Sequence, residues 1–215
     1  MPSLTPPRSP EPTPSLIVAL RLATAPIHEA VERLPGMVRL TGPDVTLADY
    51  RRYLSTMAQV YGTLEPPLYA ALGALCGGPA STRPVTLGLR PKYPVLCADL
   101  AAHSLAPPRL ARDEQAPPDL NTAVGGLYVL EGSTIGGRVV ARHLRKCLGD
   151  PLPGGGFLDF HGDQASAHWK GFGLALEGLR AEGLVDAEQV IAGACTVFRR
   201  VYALLATMDQ AGSDA

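Results

Sequence analysis

The sequence predicts an all-α fold in which one compact helical bundle forms a single domain. Three observations predict this class. Apolar residues recur at steps of three and four over several long segments, the alternation typical of strands is found nowhere at useful length, and 46% hydrophobic residues in a chain of 215 suffice for one core. We therefore expect a helical domain over residues 16–210, between a proline-rich, disordered N-terminal tail at 1–15 and a short C-terminal tail at 211–215.

The first helix is predicted over residues 16–34, where apolar side chains keep the helical period. Pro26 lies inside this pattern, and proline removes a backbone donor and crowds the preceding turn. Two alternatives stay open at this point. Either the helix kinks at Pro26, or it begins only near Thr24.

The later helices have their own start and stop signals. The second helix follows Thr46, which is predicted to cap it, and is expected to end at the Pro66-Pro67 pair. Eight prolines between residues 79 and 118 favour short helices and loops there. Gly149 stands where a left-handed C-cap is common. The remaining helices are predicted at residues 67–75, 94–105, 119–148, 164–182 and 186–208.

Charge and composition exclude several classes of protein. The 19 basic and 20 acidic side chains give a formal net charge of -1, so the chain as a whole offers no electrostatic footprint for a nucleic acid. No apolar run approaches the length of a membrane span, and the N-terminus lacks the pattern of a signal peptide. We expect a cytoplasmic protein. The four cysteines are widely scattered, which excludes a zinc knuckle and predicts small buried hydrophobic side chains.

His28 is the first candidate functional residue. Glu32 follows it by one helical turn, and a carboxylate there can accept a hydrogen bond from one imidazole nitrogen, which leaves the other nitrogen for a metal. Arg21 precedes His28 by two turns on the same face and could meet an anionic group of the same ligand. The alternative interpretation is an exposed histidine with a solvated glutamate partner.

The segment from residue 125 to residue 137 carries five glycines inside a predicted helix. Each glycine costs about 0.8–1 kcal/mol relative to alanine, so the helix gives up about 4–5 kcal/mol of intrinsic stability. Gly125, Gly132 and Gly136 share one face and present bare backbone there. Two partners fit such a surface equally well: another helix in very close contact, or a flat, rigid ligand.

Other types of site lack their sequence signatures. No strand precedes the glycines and no Gly-Lys-Ser/Thr follows them, which argues against a phosphate-binding loop, and Rossmann spacing is absent. The chain has neither the Glu-x-x-His pairs of a di-iron carboxylate bundle nor the His-Glu-x-x-His of a zinc protease. Most alternatives for a metal site are thereby excluded.

Two segments resemble a known family. Leu-Arg-x-Ala-Thr-x-x-x-His at residues 20–28 is similar to the proximal helix of bacterial heme oxygenases, and Tyr-Val-Leu-Glu-Gly-Ser-Thr-Ile-Gly-Gly at residues 128–137 resembles their distal helix. The second segment is the more specific, and it resembles the branch associated with bacterial phytochromes and heme uptake. The resemblance extends from about residue 20 to residue 205 and implies a helical bundle of the heme oxygenase type.

The resemblance also implies a site. Heme, as substrate and cofactor together, is expected between the two helices, with His28 as the axial iron ligand and Glu32 as the hydrogen-bond partner of His28. Gly132 and Gly136 would let the distal backbone approach the heme face, and Ser133 would hold water there.

The charged groups of heme are expected to meet polar side chains. Arg21 matches the basic residue that the family uses for one propionate, and Lys170 or Tyr128 is expected at the other. The sequence departs from the family pattern twice. Many members carry an aspartate where Ser133 stands, although serine is common in the branch resembled here, and Pro26 is unexpected so close to the ligand.

The activity that the resemblance implies is cleavage of heme by O2 to biliverdin, iron and carbon monoxide. Ferredoxin or a flavin reductase would donate the electrons, and the bilin would supply a bacteriophytochrome. Two alternatives remain: a heme-binding protein that stores, delivers or senses heme without degrading it, and a related all-α fold that acts on another small ring, such as a thiamine or quinone precursor.

A basic stripe lies near the end of the glycine-containing helix, formed by Arg138, Arg142, Arg145 and Lys146. Cations are favourable at a helix C-terminus, which is one explanation. The functional hypothesis is a docking surface for an acidic electron donor. His143 belongs to the same stripe. The remaining histidines, for which we expect surface or loop positions without a metal, are His103, His161 and His168.

Overall fold

The computed structural model of the protein describes residues 14–76, 87–110 and 118–208. Within these ranges it contains seven α-helices and one 3₁₀ turn, and no strand. The predicted all-α class is confirmed. The helices are α1 Leu16–Glu32, α2 Pro35–Thr41, α3 Leu47–Cys76, α4 Tyr93–Ala102, α5 Leu120–Leu148, α6 Ala165–Ala181 and α7 Ala187–Ala206, and the 3₁₀ turn is Gly162–Gln164. Most of the N-terminal tail and all of the C-terminal tail expected from the sequence fall outside the described residues.

Helix α1 is continuous through Pro26. Ser15 caps it by accepting a hydrogen bond from the backbone N–H of Val18. Leu16 and Leu20 are fully buried, so the turns before the proline already pack on the core. Of the two alternatives left by the sequence, a helix that begins only near Thr24 is therefore wrong.

Helix α3 continues past the Pro66-Pro67 pair, where we expected it to end. That prediction is wrong because tertiary contacts outweigh a penalty of about 3 kcal/mol for an interior proline. Leu64 and Leu68, on either side of the pair, are both buried in the core. The carboxylate of Glu65 accepts hydrogen bonds from two backbone N–H groups of the segment that leads into α4.

The other helices agree with the predicted bounds to within a few residues, but α2 had no prediction. Asp119 and Asp186 cap α5 and α7 by accepting hydrogen bonds from backbone N–H groups. Gly149 ends α5 with a φ of 110° and a ψ of 156°. It therefore has the positive φ expected of a glycine, but not the left-handed helical geometry that we predicted.

Helix α7 packs one face against three other helices. It packs against α1, α3 and α5, and Val190, Val197 and Val201 are buried in these contacts. By length and composition α7 could also cross a membrane. Of its apolar window, 39% is buried inside the fold, on the face that packs against these helices.

Glycines make the contact between α5 and α7 unusually close. A Cβ atom on Gly125 would lie 2.2 Å from the carbonyl oxygen of Val190, and a Cβ on Gly193 would lie 2.5 Å from the Cα of Thr122. The two backbones therefore touch directly. Gly137 has a similar role against the loop after α5, because its Cβ would lie 2.9 Å from the carbonyl oxygen of Leu158.

We expect Gly125→Ala to lower the free energy of unfolding by about 1–3 kcal/mol or more, because the new methyl group would overlap backbone that cannot move aside. Gly136→Ala is the matched control on the same helix, since no described atom lies within 4 Å of its Cβ position. It should stabilise the protein by about 0.5–1 kcal/mol through helix propensity. Urea denaturation measures both, and equal effects of the two substitutions would contradict the helix-contact assignment.

Candidate functional site

His28 is exposed on α1, with its imidazole accessible from outside the protein. Its Nδ1 atom lies 3.4 Å from the Oε1 atom of Glu32, one turn further along the helix. The imidazole and the ring of Phe198 on α7 form a T-shaped contact, with the ring centroids 6.0 Å apart. The carboxylate and the aromatic ring restrict the imidazole on two sides. The Nε2 atom has no polar partner among the described residues and can bind a ligand.

Tyr128 on α5 lies near two polar side chains of α1. Thr24 and the positive charge of Arg21 both lie close enough to affect the pKa of its hydroxyl. Burial raises the pKa of Tyr128, and the contacts with Thr24 and Arg21 lower it in part. Two of the residues expected to meet the charged groups of a ligand are therefore brought together. Lys170 is exposed, and its predicted role stays a prediction.

The two later glycines of α5 have quite different surroundings from Gly125. A Cβ on Gly132 would make ordinary contact with the ring of Trp169, at 3.6 Å, and a Cβ on Gly136 would meet no described atom within 4 Å. Trp169 also lies 5.6 Å from Tyr128, ring centroid to ring centroid. This part of α5 therefore presents bare backbone to open space, with an aromatic wall on one side.

Ser133 points toward α3. Its hydroxyl lies 2.7 Å from the hydroxyl of Tyr61 on α3, and it donates a hydrogen bond to the carbonyl oxygen of Leu130 at 2.9 Å. Tyr61 is fully buried, and burial raises its pKa well above the usual value. The expected water-holding hydroxyl is therefore already bonded within the protein.

A buried ionic cluster lies directly beside these residues. Lys92 and Glu131 form an ion pair, and their side chains are 1% and 7% exposed. The Nε2 atom of His161 lies 3.3 Å from the other carboxylate oxygen of Glu131. His161 lies in a loop, one of the two positions expected for it, but its side chain is buried because the turn that carries it folds inward onto α5.

Burial lowers the pKa of His161, and the carboxylate of Glu131 opposes this shift. The Nδ1 atom of His161 is buried without a hydrogen-bond partner among the described residues. Its ring stacks on that of His168, with the centroids 4.0 Å apart. A neutral imidazole is favoured in this position, since a second charge would add to that of Lys92.

The cluster could only partly be predicted from the sequence. An acidic residue in an otherwise apolar stretch of helix, Glu131, signals a buried partner. Lys92 lies in a proline-rich segment without such a signal, and His161 in a loop. The three come together only through tertiary contacts.

The other reactive side chains are dispersed. Within the described ranges, no group of three or more histidine, cysteine or acidic side chains could hold a metal ion by itself. Cys97 and Cys195 are partly buried, but Cys147 is exposed, so burial was wrongly predicted for it. The last turns of α5 that carry Cys147 lie at the surface.

A lone histidine such as His28 suits a metal that is already held by a macrocycle.

Three solved structures have the same fold as this chain. One is the NO- and CO-bound heme oxygenase from Neisseria meningitidis, with a TM-score of 0.72 and 20% identity over 94% of this chain and 96% of that one. Heme oxygenase-1 from the cyanobacterium Synechocystis, in complex with heme, has a TM-score of 0.65 and 16% identity over 92% and 96%. The heme oxygenase from Leptospira interrogans has a TM-score of 0.66 and 17% identity over 90% and 99%.

No family model and no curated protein matches the sequence. The structural likeness extends over nearly the whole of each chain and shows that this protein has the heme oxygenase fold. The resemblance of the two helical segments to bacterial heme oxygenases is confirmed at the level of the fold.

The buried ion pair makes a testable prediction about stability. Lys92→Met or Glu131→Gln alone should lower the free energy of unfolding by about 3–5 kcal/mol, because each leaves the other charged group buried without its partner. The double variant should lose less than the sum of the two, which a double-mutant cycle in urea measures. Additive losses would mean that the two side chains do not interact.

Proposed function

We propose that this protein is a heme oxygenase, which binds heme between α1 and α5 and opens the macrocycle to biliverdin, iron and carbon monoxide. The proposal is supported chiefly by the combination on this fold of an accessible imidazole, His28, with bare backbone at Gly136. The heme supplies the iron at which O2 is reduced and is itself the substrate.

His28 would be the axial ligand to the iron, through its Nε2 atom. The carboxylate of Glu32, 3.4 Å from Nδ1, would accept a hydrogen bond from it in the complex, which would fix the tautomer and make Nε2 the better donor of electrons. Phe198 limits rotation of the ring from the side of α7. The chain would thus supply a ligand whose rotation is restricted on two sides, by Glu32 and by Phe198.

Polar groups at the junction of α1 and α5 would orient the heme. Arg21 would pair with one propionate, where its guanidinium can form two parallel hydrogen bonds. Tyr128, which lies near Thr24, or the exposed Lys170 would meet the other. These contacts would determine the rotation of the heme and therefore which edge of the macrocycle is opened.

The distal side of the heme would face α5. Gly132 and Gly136 would let the helix backbone lie against the macrocycle, and Trp169 would close one side against solvent. Ser133, tied to Tyr61, contributes a fixed dipole there and leaves its remaining acceptor capacity for a water molecule.

The reaction needs electrons from outside the chain. A ferredoxin or a flavin reductase would supply them, and the bilin product would serve a bacteriophytochrome or heme uptake. The protein would act in the cytoplasm, without nucleic-acid or membrane partners.

A heme-binding protein that stores or senses heme without degrading it is the second candidate. The internal hydrogen bonds of Ser133 favour it, because a hydroxyl occupied by Tyr61 and Leu130 holds distal water less strongly. The two candidates share the His28 ligand and differ in the fate of the bound heme.

Heme binding can be followed with the single tryptophan of the chain, Trp169. Adding hemin should give a sharp Soret band and quench the fluorescence of Trp169, which lies against the proposed site. His28→Ala should shift and broaden the Soret band, and added imidazole should restore it by replacing the lost ligand. His103→Ala, outside α1 and α5, is the control. A Soret band unchanged by His28→Ala would contradict the assignment of the ligand.

Turnover separates the two candidates. With reductant and O2, the heme complex should convert to a green bilin, whereas a storage protein would return intact heme. Gly136→Leu should fold normally but reduce the yield by about tenfold or more, because its side chain would displace the heme from the backbone. Gly178→Leu is the matched control, since no described atom lies within 4 Å of the Cβ position of Gly178 on α6. Equal losses in both variants would argue against a heme contact at Gly136.

A further inference from the structure

The basic stripe forms one wall of a surface cleft of about 370 Å³. None of the residues that we propose to hold heme lines it. The size falls within the range of small-molecule sites. The cleft is lined by Arg138, Arg142, Arg145, Lys146, Asp150 and Asp159.

Two of the arginines are held in place by one carboxylate. The Oδ1 atom of Asp159 lies 3.4 Å from the Nε atom of Arg138. Its Oδ2 atom lies 3.3 Å from the Nη2 atom of Arg145. Both arginine side chains are about two-thirds buried, since 34% and 36% of their surface is exposed. The guanidinium groups are therefore fixed, and their remaining N–H groups can meet a ligand without a large loss of side-chain entropy.

The loop that carries Asp159 is itself fixed. Its backbone N–H groups at Gly156 and Phe157 donate to the buried carboxylate of Asp99, at 3.1 and 2.7 Å. Phe157 and Leu158 are buried in the core. The wall opposite α5 is thus part of the rigid fold.

Positive charge exceeds negative charge in the cleft. Four cations line it with two carboxylates, which leaves an excess of two charges, four minus two. Arg142 and Lys146 are exposed and have no charged partner among the described residues. Asp163 also contacts Arg138, but its side chain is 97% exposed, so that contact is well screened.

The helix dipole explains only part of this arrangement. Arg145 and Lys146 lie in the last turn of α5, where cations offset the partial negative charge of the helix end. That effect falls off within one turn, and Arg138 and Arg142 lie further back. Arg138 is paired with Asp159, but Arg142 has no charged partner among the described residues, so its presence on the same wall needs another reason.

We propose that this cleft binds the phosphate group of a small molecule. A phosphate carries up to two negative charges, which match the excess, and its oxygens suit the planar fork of an arginine. No aromatic or apolar side chain lines the cleft, so the anionic group would be recognised and the rest of the molecule would extend into solvent. The sequence suggested an acidic protein partner here. The guanidinium groups of Arg138 and Arg145 are recessed and fixed, which favours a small anion over an acidic protein.

Calorimetric titration of the full-length protein in a buffer without phosphate tests the proposal. Inorganic phosphate, pyrophosphate and glucose 6-phosphate are the probes, compared with chloride at equal ionic strength. We expect saturable binding of at least one phosphate compound. Tightest binding of pyrophosphate would indicate a free diphosphate as the ligand, and tightest binding of glucose 6-phosphate would indicate a phosphate monoester.

Charge reversal locates the binding. Arg142→Glu with Lys146→Glu should weaken it by about tenfold or more, because charge-assisted contacts are lost and replaced by repulsion. Both side chains are exposed, so the fold should be retained, as circular dichroism would verify. If the variant with the two glutamates does not fold, the milder pair Arg142→Ala with Lys146→Ala takes its place. Arg109→Glu with Arg199→Glu changes the net charge equally, lies outside the cleft lining and should leave binding unchanged.

Three results would overturn the proposal. The first is the absence of saturable binding of any phosphate compound at millimolar concentration, and the second is equal weakening of binding in the cleft variant and its control. The third is tighter binding of an oligoglutamate peptide than of every phosphate compound. The last would identify a docking surface for an acidic protein. None of these measurements uses heme, so their outcome is independent of the proposed oxygenase activity.

Discussion

The direct contact between the backbones of α5 and α7 determines where the candidate site lies. Gly125 and Gly193 remove the side chains that would otherwise separate the two helices. Because α7 also packs against α1 and places Phe198 against His28, it sets the position of both walls of the site. Side chains of ordinary size at this contact would push α5 outward, and they would change the distance between the imidazole and the bare backbone without altering any residue that touches a ligand.

The five glycines of α5 therefore have two different roles, close helix packing and an open backbone surface. The sequence alone could not say which glycine has which role. Spacing alone allowed either a close helix or a flat ligand for the whole face. In the structure Gly125 and Gly137 contact backbone, whereas Gly136 faces open space. The division follows from the bulk of the elements that cross α5 at each level, which is a tertiary property. A helical period identifies which residues share a face, but not what lies against each turn of it.

The difference between local patterns and tertiary contacts also explains which other features could be predicted from the sequence. The all-α class and most helix bounds follow from local periodicity and caps, and the pairing of His28 with Glu32 follows from their spacing on one helix. Helix α3 passes Pro66 and Pro67 because distant residues bury its neighbours, which a local rule for proline does not contain. The place of Trp169 beside Gly132 likewise depends on how α6 docks on α5, which local patterns do not contain.

Three consecutive residues of α5 fix the rotation of this helix about its own axis. Glu131 faces the buried ionic cluster, Gly132 faces Trp169, and Ser133 faces Tyr61. A buried ion pair adds little net stability compared with apolar packing, but a rotation that separated Glu131 from Lys92 would leave both charges unpaired in the core. The cluster therefore acts mainly on orientation. It makes every other rotation of α5 unfavourable. It thereby keeps the backbone at Gly136 directed at the open space of the candidate site.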